Sequence, residues 1–599
     1  MNLIGSPCGN SRARITALVV VVGLAAPILA QGPLEQPFPQ VLPFDDVGRG
    51  GTGVTIVTSE PAFIGNAVSS AGDVNGDGVD DVLVGHRFAD PLGRRDAGEA
   101  FVVFGQDPAA GSGLLAVIDL ADLDGTNGFR LIGGSERAAA GTAVAAAGDI
   151  NADGIDDIVI GAPGVGLGTA YVVFGRDSTA GESFPAQIDL GASLGGGGFR
   201  IDATTAVFEL GASAAAAGDV NADGIDDLIV GAPRTTIGAA FVVFGRDSTA
   251  GETFPGILGV ATLDGGNGFR IDGSASFGRA GESVGGGFDA NGDGIDDVIV
   301  GAPGDDIRGA AVVFGRDATG GPAFPARIDI DDLDGTDGFG IGPISGFDDC
   351  GYSVAAAGDV NGDGVDDAII GAPRANRGAS NAGEAYVVFG RDGGGFPALL
   401  PLATLDGTNG FRINTGEKNA EFGRSVASAG DINGDGIDDL VAGAPGYGYY
   451  EATPPYSYYS YGDIGAGYVL FGRAAGFPAE VDARFFDEGE GILLPGGLQD
   501  ERAAASVAHA GDINADGAPD VIFGARGAGR NGEAYVLFGR DLSSCPADVD
   551  GDGELTVFDF LEFQNLFDAG DLAADFDGDG VLTIFDFLEF QNAFALGCP

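Results

Sequence analysis

Tryptophan is missing from this chain of 599 residues, methionine occurs once and histidine only twice. So little imidazole leaves almost no material for histidine-based acid–base catalysis, and four cysteines beside two histidines do not furnish a Cys/His zinc centre. Basic residues are also scarce: 29 Lys and Arg stand against 88 Asp and Glu, for a net charge of −59. A surface of that sign cannot displace counterions from phosphates, which excludes a nucleic-acid binder. Beyond the N-terminus no apolar run approaches the roughly eighteen residues that a membrane span needs. Glycine, by contrast, is abundant at 110 residues, and proline adds 28. At 44% hydrophobic residues the chain is too apolar for intrinsic disorder. What remains is a folded, turn-rich protein of several domains or one long repeat array.

Arg12 and Arg14 precede an apolar stretch from Ile15 to Ala30 that ends in Pro27-Ile28-Leu29-Ala30. This reads as a secretory signal peptide over 1–30, and hence as a secreted or cell-surface protein with a lead-in over 31–50.

Internal periodicity dominates the middle of the chain. Asp73-Val-Asn-Gly-Asp-Gly-Val-Asp-Asp81 recurs from Asp149, Asp219, Asp289, Asp359, Asp431 and Asp512. A second marker, Val-Val-Phe-Gly or Val-Leu-Phe-Gly, recurs in step at Phe104, Phe174, Phe244, Phe314, Phe389, Phe471 and Phe538. Each unit offers four short strands: Gly-Phe-Arg-Ile, Ser-Val-Ala-Ala-Ala, Leu-Ile-Val-Gly and Ala-Tyr-Val-Val-Phe. Several are apolar at consecutive positions, as in strands buried on both faces. Seven four-stranded sheets stacked radially bury both faces of each, so the expected fold is an all-β seven-bladed β-propeller over 51–541.

Phe422-Gly423, Asp431 to Asp439 and Gly443-Ala444-Pro445 together resemble the FG-GAP repeat of the integrin α-chain propeller, and Gly-Ala-Pro also stands at Gly161, Gly231, Gly301 and Gly371. Repeat 1 departs with Gly85-His86 and repeat 7 with Gly524-Ala525-Arg526. The resemblance implies recognition or cell adhesion on the face away from the aspartate loops.

In Asp-x-Asn-x-Asp-Gly-x-x-Asp, hard oxygens fall at positions 1, 3, 5 and 9, glycine at 6 permits the sharp turn, and a carbonyl at 7 completes a set suited to Ca²⁺. The expected ligands are Asp73, Asn75, Asp77, Val79 and Asp81; Asp149, Asn151, Asp153, Ile155 and Asp157; Asp219, Asn221, Asp223, Ile225 and Asp227; and Asp289, Asn291, Asp293, Ile295 and Asp297. They continue as Asp359, Asn361, Asp363, Val365 and Asp367; Asp431, Asn433, Asp435, Ile437 and Asp439; and Asp512, Asn514, Asp516, Ala518 and Asp520. The alternative for the same residues is a turn closed by aspartate side chains without metal.

Past Asp541 the pattern changes to two twelve-residue loops, Asp548, Asp550, Asp552, Glu554, Thr556 and Asp559, then Asp575, Asp577, Asp579, Val581, Thr583 and Asp586. Each enters a helix-like stretch, Phe558–Phe567 and Phe585–Phe594, and glycine at position 6 fits an EF-hand loop. A tandem pair with aspartate at position 12 resembles a dockerin, which implies a small all-α, EF-hand-like calcium module over 545–599 and a cohesin-like or other protein partner. Val557-Phe558 and Ile584-Phe585 occupy the partner-contacting positions, where the best-known dockerins carry a small hydroxyl pair. Cys545 and Cys598 bracket the module and suit a disulfide. Seven calcium ions in the propeller and two in the module would offset only part of the charge.

Both histidines, His86 and His509, replace small residues of the repeat, and no acid outside the loops stands in a catalytic motif, so the chain reads as a non-enzyme. The alternative is a polysaccharide-directed hydrolase, since dockerins often carry such enzymes. Repeat 6 alone inserts Gly446–Gly465, which holds seven of the twelve tyrosines between Tyr447 and Tyr461 and suits a glycan or protein ligand.

Overall fold

The computed structural model describes residues 40–540 except 48–51, 60–62, 109–114, 165, 204–207, 277, 319, 322, 449, 453–457, 461–462, 487–488, 498–499 and 530, and beyond them 549, 557–569, 574, 583, 587 and 590. The signal peptide, Cys545, Cys598 and every C-terminal loop ligand except Asp559 and Thr583 lie outside these residues.

Alternation between small and branched residues decides where each strand sits. Blade 1 runs outward through Ala67–Gly72, Asp81–His86, Glu99–Val103 and Gly128–Ile132, all antiparallel. The second strand is buried at every position, because it packs against neighbouring blades on both faces. Innermost strands carry alanine, serine and glycine, as in Ala143–Gly148, which lets seven of them crowd the axis. Each inner strand touches the inner strands on both sides, and Ser506–Gly511 of blade 7 meets Ala67–Gly72 of blade 1, so the ring is closed.

Between successive blades lie separate apolar cores, such as Val159, Val172, Leu228 and Val230 between blades 2 and 3. Fully burying one such side chain contributes about 1.5–3 kcal/mol. Aromatic rings brace the outer strands: Phe129 stacks on Phe184 at 4.1 Å, and Arg176 lies over Phe184 at 4.7 Å.

One expectation needs a shift of phase. Gly-Phe-Arg-Ile does not open its blade; it forms the outer strand of the preceding one, as Gly128–Ile132 does for blade 1. The outer strand of blade 7 is consequently supplied from the N-terminus: Gly53–Val57 pairs antiparallel with Glu533–Leu537. Every outer edge is then covered by a short parallel segment from elsewhere in the chain. Gln187–Asp189 covers blade 1, Val117–Asp119 covers blade 7, and Val41 bridges Leu493 on blade 6. Among the described residues, the outer edge of each blade is thus shielded from templating aggregation.

The described C-terminal residues hold one α-helix, Val557–Ala569, whose Phe563 stacks on Phe590 at 4.0 Å. A second helix over 585–594 lies largely outside the described residues. Cys350 is free and buried, and burial pushes its thiol far above the ordinary range.

Candidate metal centre

All seven aspartate loops join the inner strand to the second strand, so they lie on one face of the ring. The Gly-Ala-Pro segments and the loops that lead into the inner strands lie on the opposite face.

Each loop folds by the same hydrogen bonds. The position-1 carboxylate accepts two backbone N–H groups: Asp73 takes Asp77 N–H at 2.9 Å and Gly78 N–H at 2.7 Å, and Asp149, Asp219, Asp289, Asp359, Asp431 and Asp512 repeat the pair. Gly78 makes the turn at φ 91°, a left-handed conformation that a side chain would strain. The position-5 carboxylate accepts the position-7 N–H, as Asp77 does from Val79 at 3.1 Å, with the same bond from Ile155, Ile225, Ile295, Val365, Ile437 and Ala518. Position 9 is fully buried. Asp81 accepts Val74 N–H at 3.2 Å, Gly105 N–H at 2.9 Å and the Asn75 amide at 3.3 Å.

Burial pushes the position-9 carboxyls well up, with Asp157 and Asp297 reaching about 8. Asp81, Asp227, Asp367, Asp439 and Asp520 shift the same way, and the position-1 and position-5 carboxylates of each loop raise them further. Seven buried carboxyls destabilised in their charged form are a donor set that suits a hard dication. Among the described residues, however, no group of three or more His, Cys, Asp or Glu side chains converges on one point. The carboxylates are turned onto backbone amides, as in a turn closed without metal. Asn75, Asn151, Asn221 and Asn361 donate their amides to position 9. In Asn433 and Asn514 the side-chain oxygen accepts the position-5 N–H instead, and the buried Asn291 amide nitrogen has no partner. Coordination through the position-3 oxygen of Asn75 requires that amide to turn over. In the C-terminal module Asp559 is buried; the loops themselves fall outside the described residues.

Position 8 has a role that the ligand pattern does not reveal. Asp156 of blade 2 reaches across to accept Asp73 N–H of blade 1 at 2.9 Å. The same clasp joins Asp149 to Asp226, Asp219 to Asp296, Asp289 to Asp366, Asp359 to Asp438 and Asp512 to Asp80. A Cβ on Gly72 would stand 2.3 Å from the Asp156 carboxylate, so glycine there admits the clasp. The seam between blades 6 and 7 differs: Pro519 holds position 8, and the half-buried His509 ring fills the space, 3.0 Å from where a Cβ of Gly430 would stand. Burial lowers the affinity of His509 for a proton. Replacing Asp156 by Ala is expected to cost about 1–2 kcal/mol in chemical denaturation with chelator present, for one charge-assisted hydrogen bond lost between blades. An unchanged denaturation midpoint would show the clasp to be idle.

On the opposite face of blade 1, His86 is buried, accepts Phe63 N–H at 3.1 Å and pairs with Glu99 at 3.2 Å. Its ring nitrogens are both engaged, which leaves it a packing role.

Comparison with known proteins agrees with this architecture. Residues 140–173, 211–243, 351–388 and 422–470 match the FG-GAP repeat. Integrin alpha pat-2 of Caenorhabditis elegans is 33% identical over 201 residues, which cover 32% of this chain and 14% of that protein. Integrin alpha-IIb of Mus musculus is 33% identical over 192 residues, 30% of this chain and 15% of that one. Phosphatidylinositol-glycan-specific phospholipase D of Rattus norvegicus is 34% identical over 162 residues, covering 22% and 18%. The match thus spans less than a fifth of each relative's length. The protein carries FG-GAP repeats, similar to those of integrin alpha chains, on a seven-bladed β-propeller.

Proposed function

We propose that this is a secreted, calcium-stabilised, non-enzymatic propeller that recognises an extracellular protein or glycan and is held in a larger assembly by a dockerin-like C-terminal module. The observation that carries the reading is the division of labour between its two faces. The repeated aspartate turns occupy one face almost invariantly, whereas the loops of the other differ in length and sequence from blade to blade, as a recognition surface requires. Similarity to integrin alpha chains supports the same reading. In it, Asp73, Asn75, Asp77, the Val79 carbonyl and Asp81, with their counterparts in each repeat, hold Ca²⁺, which neutralises carboxylates that otherwise repel one another. Asp548 to Asp559 and Asp575 to Asp586 hold two more ions in the docking module. The tyrosine-bearing insertion 446–465 extends the recognition face.

A hydrolase is the second reading, and the similarity to a phospholipase D favours it. One set of measurements separates the two. The full-length protein in millimolar calcium is screened on extracellular-protein and glycan arrays and, in parallel, on phosphodiester and polysaccharide substrates. Saturable binding without turnover, reduced by deletion of 446–465, is the expected result. Turnover of either substrate class establishes the hydrolase instead.

A further inference from the structure

Arginines stand on both faces of this acidic protein: those that follow the third strands, Arg176, Arg246, Arg316, Arg391, Arg473 and Arg540, have their backbone N–H groups bonded to the aspartate loops of a neighbouring blade. Arg87, Arg234, Arg374, Arg424, Arg502 and Arg526 all stand on loops of the face opposite the aspartate turns. The strands between the faces are five or six residues long, or about 17–20 Å. That is roughly twice the 8 Å Debye length at physiological ionic strength, so the negative charge of the turns is largely screened at the other face.

Three of these arginines stand on neighbouring loops of blades 6 and 7, where Arg502 and Arg424 are near enough to act electrostatically on Arg526. Arg424 precedes the inner strand of blade 6; its guanidinium lies 4.6 Å from the centre of the Tyr352 ring and 3.3 Å from Glu421. Arg502, in the loop entering blade 7, pairs with Asp463 at 3.3 Å. Arg526 follows the second strand of blade 7, and its neighbour Gly527 donates its N–H to Glu501 O at 2.9 Å, which sets Arg526 against the Arg502 loop. Arg526 occupies the place of Pro163, Pro233, Pro303, Pro373 and Pro445 in the other repeats, and Ala505 stands where repeat 6 has Arg424. Among the described residues Arg526 is half-buried and has no hydrogen bond or ion pair. Burial and the charges of Arg502 and Arg424 make its proton less tightly held than usual, so the cluster stores repulsion that an anion would relieve.

We infer that Arg424, Arg502 and Arg526 form a binding site for one carboxylate presented by a protein ligand, either an aspartate or glutamate side chain or a free C-terminal carboxylate. Three guanidinium groups against Glu421 and Asp463 leave a residual charge of about +1, which a monoanion neutralises and a dianion overshoots. The guanidinium fork of Arg526 suits two-pronged contact with a carboxylate. A discrete site on a protein of net charge −59 also discriminates against polyanions, whose further charges meet only repulsion. Arginine and tyrosine are the residues that anchor protein interfaces. The inference rests on the recognition reading above and adds the ligand's chemistry to it.

The test uses the full-length protein in calcium and surface plasmon resonance against an immobilised glycine-flanked glutamate peptide, its lysine counterpart and polygalacturonate. The glutamate peptide is expected to bind, with affinity at least tenfold weaker in Arg526→Gln and only partly restored in Arg526→Lys, at an unchanged melting temperature. Undiminished binding by Arg526→Gln, preference for the lysine peptide, or tighter binding of polygalacturonate per carboxylate overturns it. Array binding that survives in Arg526→Gln sinks this site while leaving the recognition reading intact; no array binding by the parent protein sinks both.

Discussion

A protein shortened to begin at residue 63 is expected to lose its cooperative unfolding transition and to bind hydrophobic dyes at room temperature. The segment removed includes Gly53–Val57, the outer strand of blade 7, and the lead-in whose Phe44 packs on Phe523 at 5.1 Å and Tyr535 at 4.9 Å. Val54, Ile56 and Phe44 are all buried. Each contributes about 1.5–3 kcal/mol, and a domain's net stability is only about 5–15 kcal/mol. The lead-in also bridges Leu493 of blade 6, so it straddles the one seam that lacks an aspartate clasp. Ile56→Asp is the milder variant; it leaves the backbone ladder in place and is expected to depress the melting temperature by several degrees through one buried charge. Calorimetry of both variants decides the point, and a truncated protein that melts as sharply as the parent would show that the ring does not depend on its first strand.

Chelation is expected to lower the melting temperature by about 15–20 °C and to make stability fall as pH rises. Seven sites each held at a hundredfold excess over their dissociation constant contribute about 2.7 kcal/mol apiece, against an unfolding entropy near 1 kcal/mol/K for about 500 residues. The pH dependence follows from the buried position-9 carboxyls. Asp157 and Asp297 are pushed by burial up to about 8, whereas an unfolded aspartate releases its proton near the ordinary value of about 3.9. Between those values the folded, cation-free protein binds more protons than the unfolded one. Its stability is therefore fullest at the acid end of that window and drains away as pH rises through about 8. With calcium the carboxylates are ionised in the folded protein, as they already are in the unfolded one above about pH 5, so this dependence on pH is largely lost. Melting curves at about pH 5 and pH 8, in chelator and in millimolar calcium, give the two slopes. Equal slopes, or no response to chelator, would mean that the turns are held by their hydrogen bonds alone.

Those outcomes bear on how much the amino-acid order discloses. Seven units were legible because two markers keep step, and the apolar runs at Asp157–Ala162 or Asp227–Ala232 announce strands packed on both faces. Where a blade begins was not legible: in a closed series any strand can open the unit, and only the pairing of Gly53–Val57 with blade 7 fixes the phase. The loops were legible as turns but not as occupied sites, because Asp73 and Asp77 meet the same backbone amides in a metal-free turn as in a coordinating one. Asp80, Asp156, Asp226, Asp296, Asp366 and Asp438 recur although none is needed as a ligand, and that surplus was the signal for the clasps between blades. The arginine cluster left a fainter trace, the loss of proline from Gly-Ala-Pro at Arg526, visible only once neighbouring loops from different blades are brought side by side.

The pairing of Val54 with Val536 also sets a clock on biogenesis. Ribosomes add about 5–20 residues per second, so the earliest strand waits on the order of half a minute or longer, roughly 480 residues, before its partner exists. Until then Val54 and Ile56 have only part of their cover, from Val68, Val82 and Val103 of blade 1 and from Val117–Asp119, and the half-made ring presents an unfinished blade at each end. A holding factor that shields short β-branched segments during synthesis or export would therefore raise the yield of this protein more than one that accelerates the folding of single blades.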